Sequence, residues 1–324
     1  MLRSALCLLA ALATLASGCG GTTAGVDPDD ASLMLDFTPN AVHAGIYTAL
    51  ARDYDGAERI TLRVRTPGDR TDAIRLLETG RVDFAILDIS DLALAREAGS
   101  DVKGIMAVVQ RPLAAVFAKP GIRRPRDLEG RRVGVSGLPS DVAVLESTVQ
   151  GDGGDPERVK RTDIGFTAVP SLVGGKVDAV TAFWNVEGLA LDRELDGVRE
   201  FRVERFGAPA YPELVLVASA ATLQDDPGRA ERVVKALRRG YEEALIDPES
   251  AVETMTRRVK GLDRAETLVQ LRAVQHAFTA GVRAYGVLDP ARLERWADWA
   301  AEFGIVEERP DVCATFVTRY ADAE

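Results

Sequence analysis

Two stretches of this sequence follow one pattern: Leu77 to Asp83 read LETGRVD, and Leu172 to Asp178 read LVGGKVD. In each stretch, a helical segment ends at a glycine, a basic residue follows, and a Val-Asp pair opens a short apolar run. Any α/β protein can contain one such helix-to-strand connection, but two copies indicate two lobes built on one plan. The length of 324 residues also favours two cores of moderate size over one.

Short runs rich in Val, Ile and Leu recur along the chain, and amphipathic segments such as Asp72 to Thr79 and Asp141 to Gln150 lie between most of them. Strands that alternate with helices predict an α/β fold with mostly parallel sheets flanked by helices. The predicted strands are Leu33–Phe37, Ile60–Val64, Phe84–Leu87, Val102–Val109, Val133–Ser136, Ala179–Phe183 and Glu213–Ala218.

The chain after Ala218 has an almost purely helical pattern. Aspartate followed by proline is a strong helix-start signal, because aspartate caps the helix and proline suits its first position. These pairs predict helix starts at Asp226, Asp247 and Asp289. A run of helices after a returning strand indicates that the chain crosses back and finishes around the first lobe.

We therefore expect two crossover hinge segments, near Lys119 and near Ser219. On this division, residues 33–118 and 219–324 form lobe one, and residues 119–218 form lobe two. The expected protein is a monomer with two lobes and a ligand site between them.

The first residues have the pattern of an export signal. Arg3 precedes an apolar run from Ala5 to Leu15, which is too short for a membrane span, and small residues lead to Cys19. This end resembles the lipobox of bacterial lipoproteins, although Ala16 stands where leucine is usual. We expect a signal peptide over residues 1–18 and a flexible, lipid-anchored tether over residues 19–32. The protein is then extracytoplasmic and attached to the cell membrane only through its lipid; an ordinary signal cleaved nearby is the alternative.

Charge and cysteine content exclude several classes of function. Removal of residues 1–18 changes the formal net charge from −10 to −11, which opposes binding to nucleic acid. Cys7 would leave with the signal and Cys19 would carry lipid, so that Cys313 has no partner for a disulfide or a thiolate metal cluster. We expect a small-molecule ligand and no cofactor.

Three longer stretches carry a family resemblance. Leu33 to Tyr47 read LMLDFTPNAVHAGIY, Ile122 to Val135 read IRRPRDLEGRRVGV, and Val177 to Glu187 read VDAVTAFWNVE. In the same order, they resemble the opening strand, the entry into lobe two and the Trp-Asn-x-Glu segment of the ThiY-like binding proteins for thiamine-pyrimidine precursors. Those proteins share a fold with the SsuA-like binders and the yeast-type pyrimidine synthase. The resemblance implies a two-lobe periplasmic-binding-protein fold of type II, with the permease of an ABC importer as partner.

The resemblance and the predicted strand ends select a set of ligand-binding residues. Aromatic faces and polar edge groups hold a flat nitrogen heterocycle, and a carboxylate at Glu187 can accept from an exocyclic amine and a protonated ring nitrogen together. The alternative for Glu187 is a favourable charge in the first turn of a helix. Capping would explain Asn40, and a lone His43 is more often structural. The predicted set is Phe37, Asn40, His43, Tyr47, Ser136, Trp184, Asn185 and Glu187.

The sequence leaves the identity of the ligand open among three candidates. The family usually has tryptophan in place of Phe37 and polar residues in place of Ala41 and Val42, so this pocket is more apolar at one corner. Hydroxymethylpyrimidine or formylaminopyrimidine is the first expectation. A flavin or another heteroaromatic compound is the second, and a sulfonate is the third.

An enzyme of the same fold is the main rival class. The related pyrimidine synthase uses a cysteine-rich motif, and this chain has no cysteine between Cys19 and Cys313. Its two histidines, His43 and His276, make no spaced metal motif. We therefore expect no catalysis, and a protein-interaction module is the third class.

Overall fold

The structure is a computed structural model that describes residues 29–68 and 72–322. The described residues form two five-stranded sheets flanked by helices. The strands are β1 (Asp29–Met34), β2 (Ile60–Arg65), β3 (Phe84–Asp88), β4 (Val102–Val109), β5 (Ala114–Ala118), β6 (Arg132–Val135), β7 (Lys160–Asp163), β8 (Ala179–Phe183), β9 (Arg199–Arg202) and β10 (Leu214–Ser219).

Both sheets have the same strand order. Sheet A, in lobe one, runs β2-β1-β3-β10-β4, and sheet B, in lobe two, runs β7-β6-β8-β5-β9. In each sheet, the strand that enters directly from the other lobe, β10 or β5, is antiparallel to both of its neighbours. The other four strands of each sheet run in one direction, so the sheets are mostly parallel, as predicted, and the one reversed strand makes each of them mixed. The shared order confirms two lobes built on one plan.

The repeated Val-Asp pairs have one structural role in both lobes. Asp83 precedes β3, and its Oδ2 accepts from the backbone N–H (2.8 Å) and the hydroxyl (2.7 Å) of Ser32 in β1. Asp178 precedes β8, and its Oδ2 accepts from the backbone N–H of Arg132 in β6 at 3.0 Å. The glycine before each pair has a left-handed φ, 65° in one copy and 74° in the other. The repeat thus fastens β3 to β1 in lobe one and β8 to β6 in lobe two.

The chain crosses between the sheets at residues 110–113 and again at residues 206–213. Both crossings come earlier than the positions predicted near Lys119 and Ser219. As a result, β5 belongs to lobe two and β10 to lobe one. The prediction is wrong there because an apolar run shows that a strand is buried but not which sheet it joins.

Three strands are absent from the sequence prediction. The four residues of β7 read KRTD and those of β9 read REFR; both strands lie at the edges of sheet B. Edge strands are often charged, so they lack the apolar pattern of a central strand. The third strand, β5, is fully buried and lies between the observed first crossing and the position predicted for it near Lys119.

The N-terminal boundary also differs from the prediction. Strand β1 begins at Asp29 and pairs with β2 along its whole length, so residues 29–32 belong to the sheet instead of a tether. The predicted signal peptide and Cys19 lie outside the described residues.

The α-helices of lobe one lie mainly in the C-terminal third, as predicted. Asp226, Asp247 and Asp289 each accept a hydrogen bond from a backbone N–H of the following turn, at 2.8, 3.0 and 2.9 Å. None of the helices within residues 29–68 and 72–322 is long and apolar enough to cross a bilayer. The helices are α1 (Ala44–Ala51), α2 (Tyr54–Ala57), α3 (Ala73–Glu78), α4 (Ile89–Glu97), α5 (Pro139–Gly151), α6 (Ala168–Val173), α7 (Glu187–Glu194), α8 (Ala220–Asp225), α9 (Pro227–Ile246), α10 (Pro248–Arg258), α11 (Arg264–Val274), α12 (Pro290–Glu302) and α13 (Val312–Thr315).

Candidate functional site

The carboxyl ends of the parallel strands in the two sheets lie at edges that face each other. In sheet A, Leu214 at the start of β10 pairs with Asp88 at the end of β3 and with Val109 at the end of β4. In sheet B, Ala114 at the start of β5 pairs with Phe183 at the end of β8. The short crossings join these ends directly, so the edges face each other across a space that we call the cleft. Open α/β sheets bind ligands at such edges.

Asp36 follows β1 at this edge and is held by a buried histidine. The Nδ1 of His43 accepts from the backbone N–H of Asn40 at 3.1 Å. This contact assigns the ring proton to Nε2, which donates to Asp36 Oδ1 at 2.7 Å. Asn40 in turn accepts from the backbone N–H of Val42 at 3.1 Å and caps the 3-10 helix over residues 41–43. Asn40 and His43 therefore have complete structural roles, and Asp36 is the carboxylate that they fix in place.

Phe37 extends from the same loop, and its side chain is 55% exposed. The amide of Asn40 donates to the backbone carbonyl of Thr38 at 3.2 Å, so the residues on both sides of the phenyl ring are tied down. Tyr47 is buried within α1, and burial raises its pKa. It lines an open cavity of about 500 Å³ together with Pro39 of the loop that carries Phe37 and Thr66, which follows β2.

Two more carboxyl groups lie at the end of β3 and in the first turn of the helix that follows it. Asp88 Oδ1 accepts from the backbone N–H of Ser90 at 2.7 Å, and burial raises the pKa of Asp88. Asp91 has an exposed surface, but the protein around it partly desolvates its carboxyl group. This desolvation, together with the charges of Asp88 and Asp36, raises the pKa of Asp91 to about 7. The floor of the cleft on lobe one is therefore acidic.

Glu187 lies at the facing edge of lobe two, as the first residue of α7. Burial, assisted by the charge of Asp141, raises the pKa of the half-buried Glu187, and nearby backbone N–H groups of Glu187 and Phe183 partly offset that rise. Ser136 shares this edge: its backbone N–H donates to Asp141 Oδ2 at 2.8 Å, and its Oγ accepts from the backbone N–H of Leu138 at 3.3 Å. Glu187 and Asp141 thus oppose the carboxylates of lobe one.

Trp184 fastens lobe two to the first crossing. Its indole N–H donates to the carbonyl of Pro112 at 3.0 Å, and its backbone N–H donates to the carbonyl of Leu113 at 2.9 Å. The ring lies between the guanidinium of Arg202 (4.1 Å) and the ring of His276 in lobe one (centroids 5.6 Å apart). With 4% of its surface exposed, Trp184 is a residue of the lobe junction.

Asn185 is also internal. It is 1% exposed, and its Oδ1 lacks a hydrogen-bond partner among the described residues. Of the eight residues that the sequence predicts for the site, Phe37, Ser136 and Glu187 lie at the facing edges. Asn40, His43 and Trp184 are held by hydrogen bonds within the protein, Tyr47 lines the cavity beside β2, and Asn185 is buried.

Glu213 joins the two crossings and is absent from the predicted set. It is 3% exposed, and its carboxyl group accepts from the backbone N–H groups of Leu113 and Ala114, which belong to the other crossing and to β5. It also shares a hydrogen bond with the Asp88 carboxyl group. Burial, followed by the charge of Asp88, raises the pKa of Glu213 well above its ordinary value, so the pair retains a proton on Glu213. The sequence predicts a strand that begins at Glu213, but it gives no indication of this contact.

Within residues 29–68 and 72–322, no group of three or more His, Cys, Asp or Glu side chains is placed to hold a metal ion. The chemistry that the cleft offers consists of carboxylate acceptors on both lobes, with apolar side chains beside them.

Known proteins are similar to this chain in sequence, and others are similar to it in fold. The formylaminopyrimidine-binding protein of Halalkalibacterium halodurans is 33% identical over 253 residues, which cover 76% of each chain. The 4-amino-5-hydroxymethyl-2-methylpyrimidine phosphate synthase of Legionella pneumophila is 23% identical over 229 residues, which cover 69% of this chain and 72% of that one.

Solved structures agree with the architecture. The periplasmic aliphatic sulphonate binding protein SsuA from Escherichia coli superimposes with a TM-score of 0.72 at 13% identity, over 91% of this chain and 100% of that one. This likeness confirms the two-lobe periplasmic-binding-protein fold. Residues 40–251 match a family described as NMT1/THI5 like. The match covers more than half of the sequence, and the chain therefore belongs to the NMT1/THI5 like family.

Proposed function

We propose that this protein binds a thiamine pyrimidine precursor in the cleft, with formylaminopyrimidine first and hydroxymethylpyrimidine second, and delivers it to an ABC importer. The observation that carries the proposal is the placement of carboxylates on both facing edges: Asp36 and Asp91 on lobe one, Asp141 and Glu187 on lobe two. The relative that is 33% identical bears the name of a formylaminopyrimidine-binding protein, which supports the same ligand.

The chemistry of an aminopyrimidine matches this arrangement. Its exocyclic amine and, in the formylamino compound, its amide N–H are hydrogen-bond donors, and ionised carboxylates are pure acceptors. A hydrogen bond to a charged group contributes about 1.5 to 3 kcal/mol. A ligand with donors on more than one side can therefore bridge Asp36 on one lobe and Glu187 on the other.

The same carboxylates disfavour the sulfonate alternative. Two like charges 4 Å apart repel by about 4 kcal/mol at the effective dielectric constant of a protein surface. An anionic sulfonate beside Asp36 or Glu187 would meet that repulsion, although the fold is that of sulfonate binders. A flavin, which is a flat ring with N–H donors, stays as the second candidate ligand.

We further propose a binding role without catalysis. The synthase relatives share the fold, but the cysteine-rich motif that their chemistry implies has no counterpart between Cys19 and Cys313. Binding would favour a closed arrangement of the lobes, with residues 110–113 and 206–213 as hinges, to the extent that the ligand contacts both edges. A monomer in the closed form would then dock on the permease.

We propose that the mature protein is extracytoplasmic and anchored through lipid on Cys19.

Cys19→Ser should move the protein from the membrane fraction to the soluble extracytoplasmic fraction, because the substitution removes the thiol that would be acylated. Fractionation of cells, with incorporation of labelled fatty acid into the wild type, checks this. Equal membrane retention of the variant would contradict the lipid anchor.

A thermal-shift screen tests the proposed ligand. A compound at 100 times its dissociation constant stabilises a protein by about 2.7 kcal/mol, which is a shift of several degrees at this size. We expect shifts with formylaminopyrimidine and hydroxymethylpyrimidine and none with alkyl sulfonates. A shift with riboflavin alone would replace the ligand, and a shift with a sulfonate alone would overturn the role of the carboxylates.

A further inference from the structure

Phe166 is the most exposed phenyl ring among the described residues, at 82% of its surface. Full burial of a large apolar side chain contributes about 1.5 to 3 kcal/mol, so a ligand that covers this ring would gain part of that free energy. The exposed large apolar side chains of the described residues are Phe37, Leu138, Phe166, Val173, Ile246 and Val269. Both phenylalanines in this set follow strands at the facing edges, one in each lobe.

The loop that carries Phe166 is held at both ends. Before it, the backbone N–H of Gly165 donates to Asp163 Oδ1 at 2.9 Å. After it, the hydroxyl of Thr167 donates to the carbonyl of Ile164 at 2.6 Å, and Ile164 itself is buried in the core. The phenyl ring is therefore presented by a fixed turn. Phe37 is presented in the same way on the opposite lobe, between Asp36 and Thr38, which are both hydrogen-bonded.

The loop lies at the same edge as Glu187. Strand β7 is parallel to β6, and β6 is parallel to β8, so the residues that follow all three strands emerge on one side of sheet B. The loop after β6 touches the loop after β7, since a Cβ at Gly137 would lie 3.1 Å from Asp163 Oδ2. Leu138 in that neighbouring loop is 42% exposed and extends the apolar surface beside Phe166.

We infer that Phe166 is the lobe-two face of an aromatic clamp whose lobe-one face is Phe37, and that its occupant is the flat ring of the heteroaromatic ligand. The inference rests on the proposed function and adds to its site a residue outside the set that the sequence selects. A carboxylate lies in the loop of each ring: Asp36 stands next to Phe37, and Asp163 accepts from the backbone N–H of Gly165, directly before Phe166. An occupant with two apolar faces and N–H donors at its rim fits this pattern, whereas an aliphatic chain with an anionic head does not.

Tryptophan fluorescence gives a direct test of the clamp. The three native tryptophans, Trp184, Trp296 and Trp299, are 4, 0 and 3% exposed. F166W therefore adds one indole in a position that water reaches, with red-shifted emission that acrylamide quenches. Addition of formylaminopyrimidine should shift that emission to the blue and protect it from acrylamide. Ligand binding without a change in the accessibility of the added indole would overturn the clamp.

Affinity gives the second test. Phe166→Ala should weaken formylaminopyrimidine binding about tenfold, since it removes a stacking partner and apolar contact area, while F166W should stay within about threefold of the wild type. Val173→Ala is the matched control, because Val173 is a partly exposed apolar residue of lobe two that ends α6, before β8 begins, at the opposite edge of sheet B. It should bind like the wild type.

The outcomes separate the clamp from the proposed function. If the wild type binds formylaminopyrimidine and Phe166→Ala binds it equally well, the clamp is contradicted and the proposed function is not. Equal binding with loss of uptake in cells would assign Phe166 to the permease contact instead, which also overturns the clamp. If the wild type binds riboflavin and no pyrimidine, the proposed ligand is contradicted. A tenfold loss of riboflavin affinity in Phe166→Ala would then support the clamp. A wild type that binds no heteroaromatic compound overturns both.

Discussion

Glu187→Ala is expected to weaken the binding of formylaminopyrimidine by about tenfold or more, the factor that corresponds to a lost charge-assisted hydrogen bond. The melting temperature of the unliganded protein should change little, because Glu187 is only half-buried at the first turn of α7 and its carboxylate lies near backbone N–H groups of Phe183 and Glu187. Isothermal titration calorimetry measures the affinity. The matched control is Glu194→Ala, which removes the same charge from the exposed far end of the same helix.

The pH dependence of binding gives Glu187 a second signature. The carboxylate accepts hydrogen bonds from the ligand only when it is ionised, and burial raises its pKa. Affinity should therefore fall as the pH is lowered, and the fall should begin at a higher pH than an ordinary glutamate would give. Glu187→Ala should lack this component. Wild-type affinity in Glu187→Ala would show that the carboxylate does not contact the ligand.

Glu213→Ala is expected to lower the free energy of unfolding by about 2 to 4 kcal/mol. The substitution leaves the buried backbone N–H groups of Leu113 and Ala114 without their acceptor, and each unsatisfied buried group costs about 1 to 3 kcal/mol. Glu213→Gln is the matched control, because the amide resembles the protonated carboxyl group: its oxygen accepts from Leu113 and its NH₂ donates to Asp88. Urea denaturation should give a stability close to the wild type for Gln and a large loss for Ala.

The sign of the pH effect follows from the raised pKa of Glu213. A carboxyl group that holds its proton more tightly in the folded state stabilises the protein fully below its unfolded pKa, and this contribution is lost as the pH rises toward the folded pKa. Glu213→Gln cannot lose that proton. Its stability relative to the wild type should therefore increase from pH 5 to pH 8. A constant difference, or equal losses for Ala and Gln, would contradict a protonated Glu213 between the crossings.

The sequence supports prediction of the architecture where the signals are local. The paired LETGRVD and LVGGKVD stretches and the Asp-Pro helix starts each describe a few neighbouring residues, and the structure confirms them. The crossings depend on which sheet β5 and β10 join. That choice is made by antiparallel pairing between distant segments, as in Leu214 with Asp88 and Val109, which no local pattern encodes.

In the candidate site, too, contacts between distant segments could not be predicted from the sequence. Asn40, His43 and Trp184 lie in the stretches of family resemblance, but their partners are backbone groups and buried rings that the sequence does not reveal. Asp36 stands directly before Phe37 in the opening stretch, so its position was visible although its hydrogen bond to His43 was not. Phe166 lies in a short Gly-Phe-Thr segment between a charged edge strand and α6, and only its exposure in the folded protein marks it.

The binding of formylaminopyrimidine to the wild-type protein, measured by isothermal titration calorimetry at neutral pH, tests the central claim most directly. The carboxylates of both lobes and the aromatic faces beside them predict saturable binding of one molecule per chain, with a dissociation constant on the order of 1 μM or tighter. The absence of binding to folded protein at ligand concentrations of about 1 mM would contradict the claim that this cleft receives a thiamine pyrimidine precursor.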